Sequence, residues 1–192
     1  MEWTGMIRRS AQRGHAHHGW LNTYHTFSFA GYHDSDFMGV GALRVLNEDR
    51  VTPGMGFGTH PHSNYEIYSY IFRGELTHRD SLGNVETLGR GDVQFTSAGT
   101  GISHSEYNQH EKEFVHFIQI WVKPSALGLK PRYTTKTILD TEKLGRLRLI
   151  VSESGAEDSI VINQDFKMYA SILEPEGSLT FSPAEGRRYF VH

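Results

Sequence analysis

The sequence predicts an all-β protein, and three observations support this class. The 20 glycines are scattered between short runs rich in Val, Ile, Phe, Tyr and Thr. No window keeps a 3.6-residue apolar period for more than a turn or two, which argues against long amphipathic helices. Turn sequences, SLGN at 81–84 and GRGD at 89–92, separate neighbouring runs. Many short strands ended by glycine or polar turns favour a barrel or sandwich over a parallel sheet.

The predicted strands fall into two groups, which are separated by a segment of different amino-acid composition. The first group covers 41–46, 55–60, 66–72, 75–79, 85–88, 93–97 and 114–122. The stretch VKPSALGLKPRY, with its prolines, then predicts a linker. Further strands at 147–152, 160–162, 167–173, 178–182 and 189–191 are too few to close a second barrel. We therefore predict an N-terminal domain at 1–125, a linker at 126–145 and a partial second β unit at 146–192.

Composition excludes several functional classes. With 38% apolar residues, 21% charged residues and a net charge of -3, the chain should fold as a globule with no direct nucleic-acid partner. No apolar run reaches the roughly 18 residues that a membrane span requires, and the N-terminus lacks a signal peptide, so we expect a cytoplasmic protein. Because the chain has no cysteine, any metal must be bound by nitrogen and oxygen. The 12 histidines make such a site worth seeking.

Two short stretches could bind a metal ion. In GTHPHSNYE, at 58–66, His60 and His62 are two residues apart and would share one face of a strand. In GTGISHSEYN, at 99–108, His104 and Glu106 have the same spacing. The HxH pair alone could be two hydrogen-bonded core histidines, but a buried carboxylate beside them would need its own cation or hydrogen-bond donors, and the run at 99–108 supplies neither. Three nitrogens and one carboxylate suit a divalent first-row metal and leave positions open for water, substrate or dioxygen.

These stretches resemble the two motifs of the cupin superfamily. The first motif is matched by Gly54, His60, Pro61, His62, Glu66 and Gly74. The second runs from Gly91 through His104 to Asn108, but it lacks the expected proline, and TSAGTGISH stretches its glycine spacing. That departure narrows the resemblance to the pirin family, which includes bacterial pirin-like quercetinases. The segments RGHAHHGWLNTYHTFSFAGYHD, MGVGALRVLNED and FIQIWVKP resemble the same family.

The resemblance implies a bicupin of jelly-roll β-barrels with an incomplete C-terminal cupin half, whose metal lies in the N-terminal barrel. Its ligands would be the residues matching His60, His62, His104 and Glu106. Typical cupins take the carboxylate from the first motif, here Glu66, so two assignments stay open. We favour Glu106 as the ligand and Glu66 as a neighbour of the metal, with either accepting a proton. Fe(II) is the first candidate for the metal, and Mn, Co, Ni, Cu or Zn are alternatives.

Three functions follow from the resemblance. The first is a metal-dependent dioxygenase of the quercetinase type, which opens the central ring of a flavonol, a small planar aromatic substrate, with O2. The second is a non-enzymatic, redox-sensitive regulatory protein that binds a macromolecular partner. The third is another cupin reaction, such as isomerisation of a small carbonyl compound. A dimer through the unfinished C-terminal region is a further expectation.

The other histidines are predicted to be structural or solvated. His15, His17 and His18 would belong to an arm laid over the barrel. The remaining assignments are hydrogen-bonded structural residues for His25 and His33, a solvated side chain for His78, a loop position for His110, and core or pocket lining for His116.

Overall fold

A computed structural model describes residues 5–192. Residues 1–4, the start of the predicted N-terminal domain, lie outside this range. Nearly all of the regular secondary structure in the described chain is β-strand, as the sequence predicts. The only helical pieces among residues 5–192 are α1 (Asp140–Lys143) and two 3-10 turns, Ser10–Gln12 and Ala156–Asp158. No helix in this range has the length and apolar character needed to cross a membrane.

Seven strands form the largest sheet. In spatial order they are β1 (Gly14–His17), β2 (Leu21–His25), β3 (Leu43–Val51), β10 (Val115–Val122), β5 (Glu66–Arg73), β8 (Asp92–Ser97) and β11 (Arg132–Thr137). All of the neighbouring pairs are antiparallel. The alternation of their residues gives this sheet two buried faces, each of which packs on another sheet.

A four-stranded antiparallel sheet covers one face of the large sheet. Its strands, in spatial order, are β4 (Gly56–His62), β9 (Ile102–Tyr107), β6 (Leu76–Asp80) and β7 (Val85–Leu88). The apolar side chains between the two sheets form one core cluster, made of Leu21, Val51, Ile71, Leu76, Leu88, Val115 and Phe117. This double-sheet arrangement is the N-terminal jelly-roll barrel.

A small C-terminal sheet covers the other face of the large sheet. It contains β13 (Ile160–Val161), β12 (Arg148–Ser152) and β14 (Lys167–Ala170), with β12 in the middle. Ile150 and Ile162 pack there in one cluster with Tyr68, Phe95 and residues of β10. Burial on both faces explains why β5 and β8 read as nearly continuous buried runs.

Part of the linker predicted at 126–145 forms a strand. Residues Arg132–Thr137 form β11 and pair in register with β8, which makes them part of the N-terminal sheet. The linker prediction rested on the prolines before this strand, whereas RYTTKT itself has the β-branched and aromatic composition of a strand. The segments 178–182 and 189–191, predicted as strands, are irregular instead. A strand needs a neighbour for its backbone hydrogen bonds, and strand propensity alone does not supply one.

Candidate metal centre

The two histidine-bearing stretches lie on adjacent strands. His60 on β4 pairs directly with His104 on β9, and the Nε2 atoms of the two rings are 3.1 Å apart. The ring of His62 lies 4.7 Å from that of His60 and 4.8 Å from that of His104, measured between centroids. One ligand atom from each of the three histidines lies within 4.8 Å of the others. The structure therefore brings together the three nitrogens that the sequence predicted.

A hydrogen bond at Nδ1 determines which ring nitrogen of His60 carries the proton in the neutral form. The Nδ1 atom of His60 is 2.8 Å from the carbonyl oxygen of Gly58. Because a carbonyl oxygen only accepts, Nδ1 carries the proton and donates it to Gly58. In the neutral ring the Nε2 atom then presents a lone pair toward His104. A histidine that binds a metal through one nitrogen commonly donates the other N–H in this way.

Burial keeps His62 and His104 neutral. Burial, followed by the proximity of His104 and His60, lowers the pKa of His62 to about 4. Burial, followed by the proximity of His60 and His78, lowers the pKa of His104 to about 3. Both rings are therefore uncharged at neutral pH. Uncharged imidazoles are the form that binds a metal ion.

Glu106 completes the set from the barrel interior. A β-bulge between Phe57 and His60 lets Phe57 pair with Glu106 while His60 pairs with His104. The Glu106 carboxylate is buried, and its Oε2 accepts a hydrogen bond of 2.9 Å from the Nε2 of Gln119. Its Oε1 accepts hydrogen bonds from the side chains of Gln94 and Ser69. Neutral donors on both oxygens stabilise the charged carboxylate without adding a cation.

The donor set fits a divalent transition metal. His104 belongs both to the group with His60 and His62 and to a second group with His78 and Glu106, in which ligand atoms are also within 4.8 Å of one another. His104 thus connects the histidine pair to the carboxylate. Three imidazole nitrogens and one carboxylate inside a barrel suit Fe(II), Mn(II), Co(II), Ni(II) or Zn(II).

Glu66 lies elsewhere, which corrects the expectation that it sits beside the metal. Its buried carboxylate accepts hydrogen bonds from Ser97 Oγ at 2.6 Å and from the backbone and side-chain nitrogens of Asn163, at 3.0 and 3.1 Å. Glu66 therefore ties the C-terminal region to the large sheet. Side-chain parity from His62 does not hold, because β4 ends at His62 and Glu66 begins a different strand, β5.

His78 is fully buried, although the sequence predicted a solvated residue. Its Nε2 lies 3.1 Å from a carboxylate oxygen of Asp80, and its ring stacks on Tyr133 with 4.2 Å between centroids. The polar residues around it in ELTHRD suggested solvent on both sides of the strand. The alternation of β6 actually places His78 toward the barrel interior, where it pairs with Glu106 across the sheet.

Sequence reasoning missed a second acidic group in the barrel. Asp49 on β3 is buried, and burial raises its pKa to about 7, with the charge of Glu106 adding to the rise. Its place in the run NEDR gave no signal, because Glu48 and Arg50 on either side are polar as well. His116, by contrast, faces away from the cavity. It shares a face of β10 with Ile118 and Ile120 and hydrogen-bonds Glu48 at 3.0 Å.

Two surfaces adjoin His62. One is a groove of about 360 Å³, and its lining residues are Pro61, His62, Ser63, Ser81, Gly101, Ile102 and Ser103. The other is Trp121, whose ring packs edge to face with the His62 ring at 4.8 Å between centroids. Trp121 in turn packs against Tyr65 and Phe29. We call Phe29, Tyr65 and Trp121 the aromatic wall; each of them is partly exposed.

A jelly-roll barrel that groups His60, His62 and His104, with the buried carboxylate of Glu106 near His104, defines a metal-binding cupin. Comparison with known proteins narrows this class. Residues 6–122 match the family model described as Pirin, and residues 149–192 match the model of the quercetinase C-terminal cupin domain. The chain belongs to the pirin family. The family and the fold predicted from the sequence are thereby confirmed.

Individual relatives cover most of the chain. Quercetin 2,3-dioxygenase of Escherichia coli is 43% identical over 94% of this chain and 78% of its own length. A pirin-like protein of Caulobacter vibrioides is 39% identical over 93% of this chain and 77% of its own length. The crystal structure of the E. coli pirin YhhW in complex with nickel(II) shares 45% identity and a TM-score of 0.80, over 84% of this chain and 69% of that one. The predicted similarity to quercetinase-type oxidoreductases is confirmed.

Proposed function

We propose that this protein is a metal-dependent dioxygenase that opens the central ring of a flavonol with O2. The observation that carries the proposal is the grouping of His60, His62 and His104, whose ligand atoms lie within 4.8 Å of one another, with Glu106 in a second such group that shares His104. The similarity to relatives named quercetin 2,3-dioxygenase supports the reaction class and suggests a flavonol as substrate. The nickel(II) complex of the E. coli relative supports a divalent ion. Fe(II) remains our first candidate, with nickel as the main alternative.

The metal and its ligands would have distinct tasks. A bound divalent ion supplies Lewis acidity, which lowers the pKa of a coordinated hydroxyl group. His60, His62 and His104 would hold the ion through imidazole nitrogens, which add no negative charge, so the positive charge of the site would not be cancelled. Glu106 adds one negative charge and is the carboxylate of the cluster that can accept the flavonol hydroxyl proton. Asp49, with a pKa of about 7, is a second buried carboxyl group that can hold that proton.

The surroundings of the cluster suit a flat, hydroxylated ligand. The aromatic wall offers ring faces and edges for a planar molecule to pack against. The groove that His62 lines also carries the hydroxyl groups of Ser63, Ser81 and Ser103, which can bind phenolic oxygens. A ligand that contacts both the groove and the aromatic wall would also contact His62. The apolar part of this enclosure would limit water around the reacting ring.

The decisive experiment is a metal-resolved flavonol assay. The protein is loaded separately with Fe(II), Mn(II), Co(II), Ni(II) and Cu(II), its metal content is measured, and quercetin is added in air. We expect loss of the flavonol absorption together with O2 consumption for at least one metal. The His60→Ala variant should lose both metal and activity, whereas His33→Ala, which changes an exposed histidine outside the cluster, should keep both. Full metal loading without turnover by any ion would refute the dioxygenase proposal.

A further inference from the structure

The Gln119 side chain is fixed at both of its polar ends. The indole Nε1 of Trp121 donates a hydrogen bond of 3.1 Å to Gln119 Oε1. The amide Nε2 of Gln119 donates a hydrogen bond of 2.9 Å to Glu106 Oε2. Gln119 and Trp121 are two residues apart on β10, so both project from the same face of the strand. The three side chains form a continuous chain from the aromatic wall to the carboxylate.

The chemistry of the indole sets the direction of this chain. An indole N–H can only donate, so it can satisfy only the oxygen end of a primary amide. With that oxygen engaged, the NH2 group of Gln119 is directed at Glu106. Without the indole N–H, rotating the amide by half a turn would place its oxygen against the carboxylate oxygen. Two acceptors facing each other repel, so the Glu106 carboxylate would move or turn.

The other oxygen of Glu106 is held from a different strand. Gln94 on β8 donates to Oε1, and it also donates to Ser69 Oγ at 3.2 Å. Oε1 therefore has its own support, and only Oε2 depends on Gln119. Loss of the Gln119 contact should leave the carboxylate anchored at one end and free to rotate about that anchor. The expected consequence is a change in how Glu106 faces a metal ion, with the fold intact.

Trp121 also contacts His62, a second side chain of the proposed metal site. Its ring meets His62 edge to face, with 4.8 Å between centroids and an interplanar angle of 84°. Phe29 and Tyr65 pack on Trp121 from other directions, at 5.5 and 5.3 Å, and keep the indole from swinging away. One side chain thus restrains His62 by packing and Glu106 through a hydrogen-bonded amide.

From these contacts we infer that Trp121 is a positioning residue of the metal site, acting on Glu106 through Gln119 and on His62 by direct contact. The inference rests on the proposed metal site. It gives the aromatic wall a second task besides contacting an aromatic ligand. A ligand that displaced the indole would alter the orientation of Glu106 as well.

A double-mutant cycle tests the route through Gln119. Trp121→Phe keeps an aromatic ring beside His62 but removes the N–H, and Gln119→Leu removes the amide. The readouts are metal affinity, measured by competition with a chelator, and the visible absorption spectrum of the Co(II)-loaded protein. We expect each single variant to bind metal about tenfold more weakly, the scale of losing an outer partner of a ligand, and to shift the Co(II) bands. The double variant should resemble Gln119→Leu alone, because the indole N–H then has nothing to orient.

The control is Trp20→Phe. The Trp20 ring packs against Phe57 and against the core cluster between the large sheet and the four-stranded sheet. This variant should keep the affinity and the spectrum of the unmodified protein. Unchanged affinity and spectrum in Trp121→Phe would overturn the inference, and so would additive effects in the double variant. Absence of metal binding in the unmodified protein is a different result, which would refute the proposed metal site itself.

Discussion

His60 and His104 face each other across two antiparallel strands with their Nε2 atoms 3.1 Å apart. The Nδ1–H of His60 donates to the carbonyl oxygen of Gly58, so the neutral form of the ring directs its Nε2 lone pair toward His104. Two converging imidazole nitrogens are better satisfied by a shared metal ion than by each other. A metal ion bound between the two rings should therefore raise the free energy of unfolding.

Removing the metal should destabilise the protein measurably. A ligand that binds only the folded chain at 100 times its dissociation constant adds about 2.7 kcal/mol to the free energy of unfolding. For a domain of this size, each kcal/mol corresponds to roughly 2–4 °C in Tm. We expect a chelator to lower Tm by about 5–10 °C and re-addition of the metal to restore it. The same chelator should leave the Tm of His60→Ala unchanged; an equal drop in that variant would contradict the assignment.

The two candidate carboxylates should separate cleanly on mutation. Glu66→Gln removes a charge that accepts hydrogen bonds from Ser97 and Asn163, so we expect a loss of about 1–3 kcal/mol in stability with the metal retained. Glu106→Gln removes the negative donor from the cluster, so we expect the metal to be lost. Metal content and urea unfolding of the two variants measure both effects. Loss of metal in Glu66→Gln alone would reverse the assignment.

Two glycines of β4 offer a matched test of strand spacing at the site. A Cβ atom on Gly56 would lie 2.6 Å from the Cα of Tyr107 on β9, the strand that carries His104 and Glu106. Gly56→Ala should therefore push β9 away and weaken metal binding by at least about tenfold, comparable to loss of an outer partner. At Gly58 the nearest atom to a Cβ is Tyr107 Oη at 3.8 Å, an ordinary contact. Gly58→Ala should bind metal normally, and equal effects in the two variants would contradict the prediction.

Glu48 should make stability depend on acidic pH. Burial alone would raise its pKa, but hydrogen bonds from Arg13 and His116 and the charges of Arg13 and Arg50 outweigh burial and lower the pKa from 4.5 to about 2. The carboxylate is also 3.8 Å from His192. A pKa that is lower in the folded state means that the stabilisation is present above pH 4.5 and is lost as pH falls toward 2.

The matched variant for this prediction is Glu48→Gln. We expect it to be less stable than the unmodified protein by on the order of 1–2 kcal/mol at neutral pH, after allowing for solvent screening. The difference should shrink between pH 4.5 and 2. Denaturant unfolding across that range measures it. A difference that stays constant down to pH 2 would show that the carboxylate charge is not the cause.

The chain by itself determined the β class, the metal-ligand residues to examine and the family. Alternating strands, glycine turns and the pairs at 60/62 and 104/106 are local patterns, and a period of two residues places each pair on one face. The same patterns located most strands of the N-terminal barrel. Local patterns sufficed there because the residues concerned belong to single, uninterrupted strands.

Only the tertiary structure determined which side chains lie in contact at the site. Parity from His62 could not place Glu66, because the chain turns between β4 and β5 and the count of alternating faces restarts. Polar neighbours concealed the burial of His78 and Asp49, because only the packing of the two sheets shows that the alternation of β6 and β3 turns these side chains toward the barrel interior. The contacts of Glu106 with Gln94 and Gln119 join β9 of the four-stranded sheet to β8 and β10 of the large sheet. The packing of one sheet on the other sets these contacts, and the alternation within a single strand does not encode it.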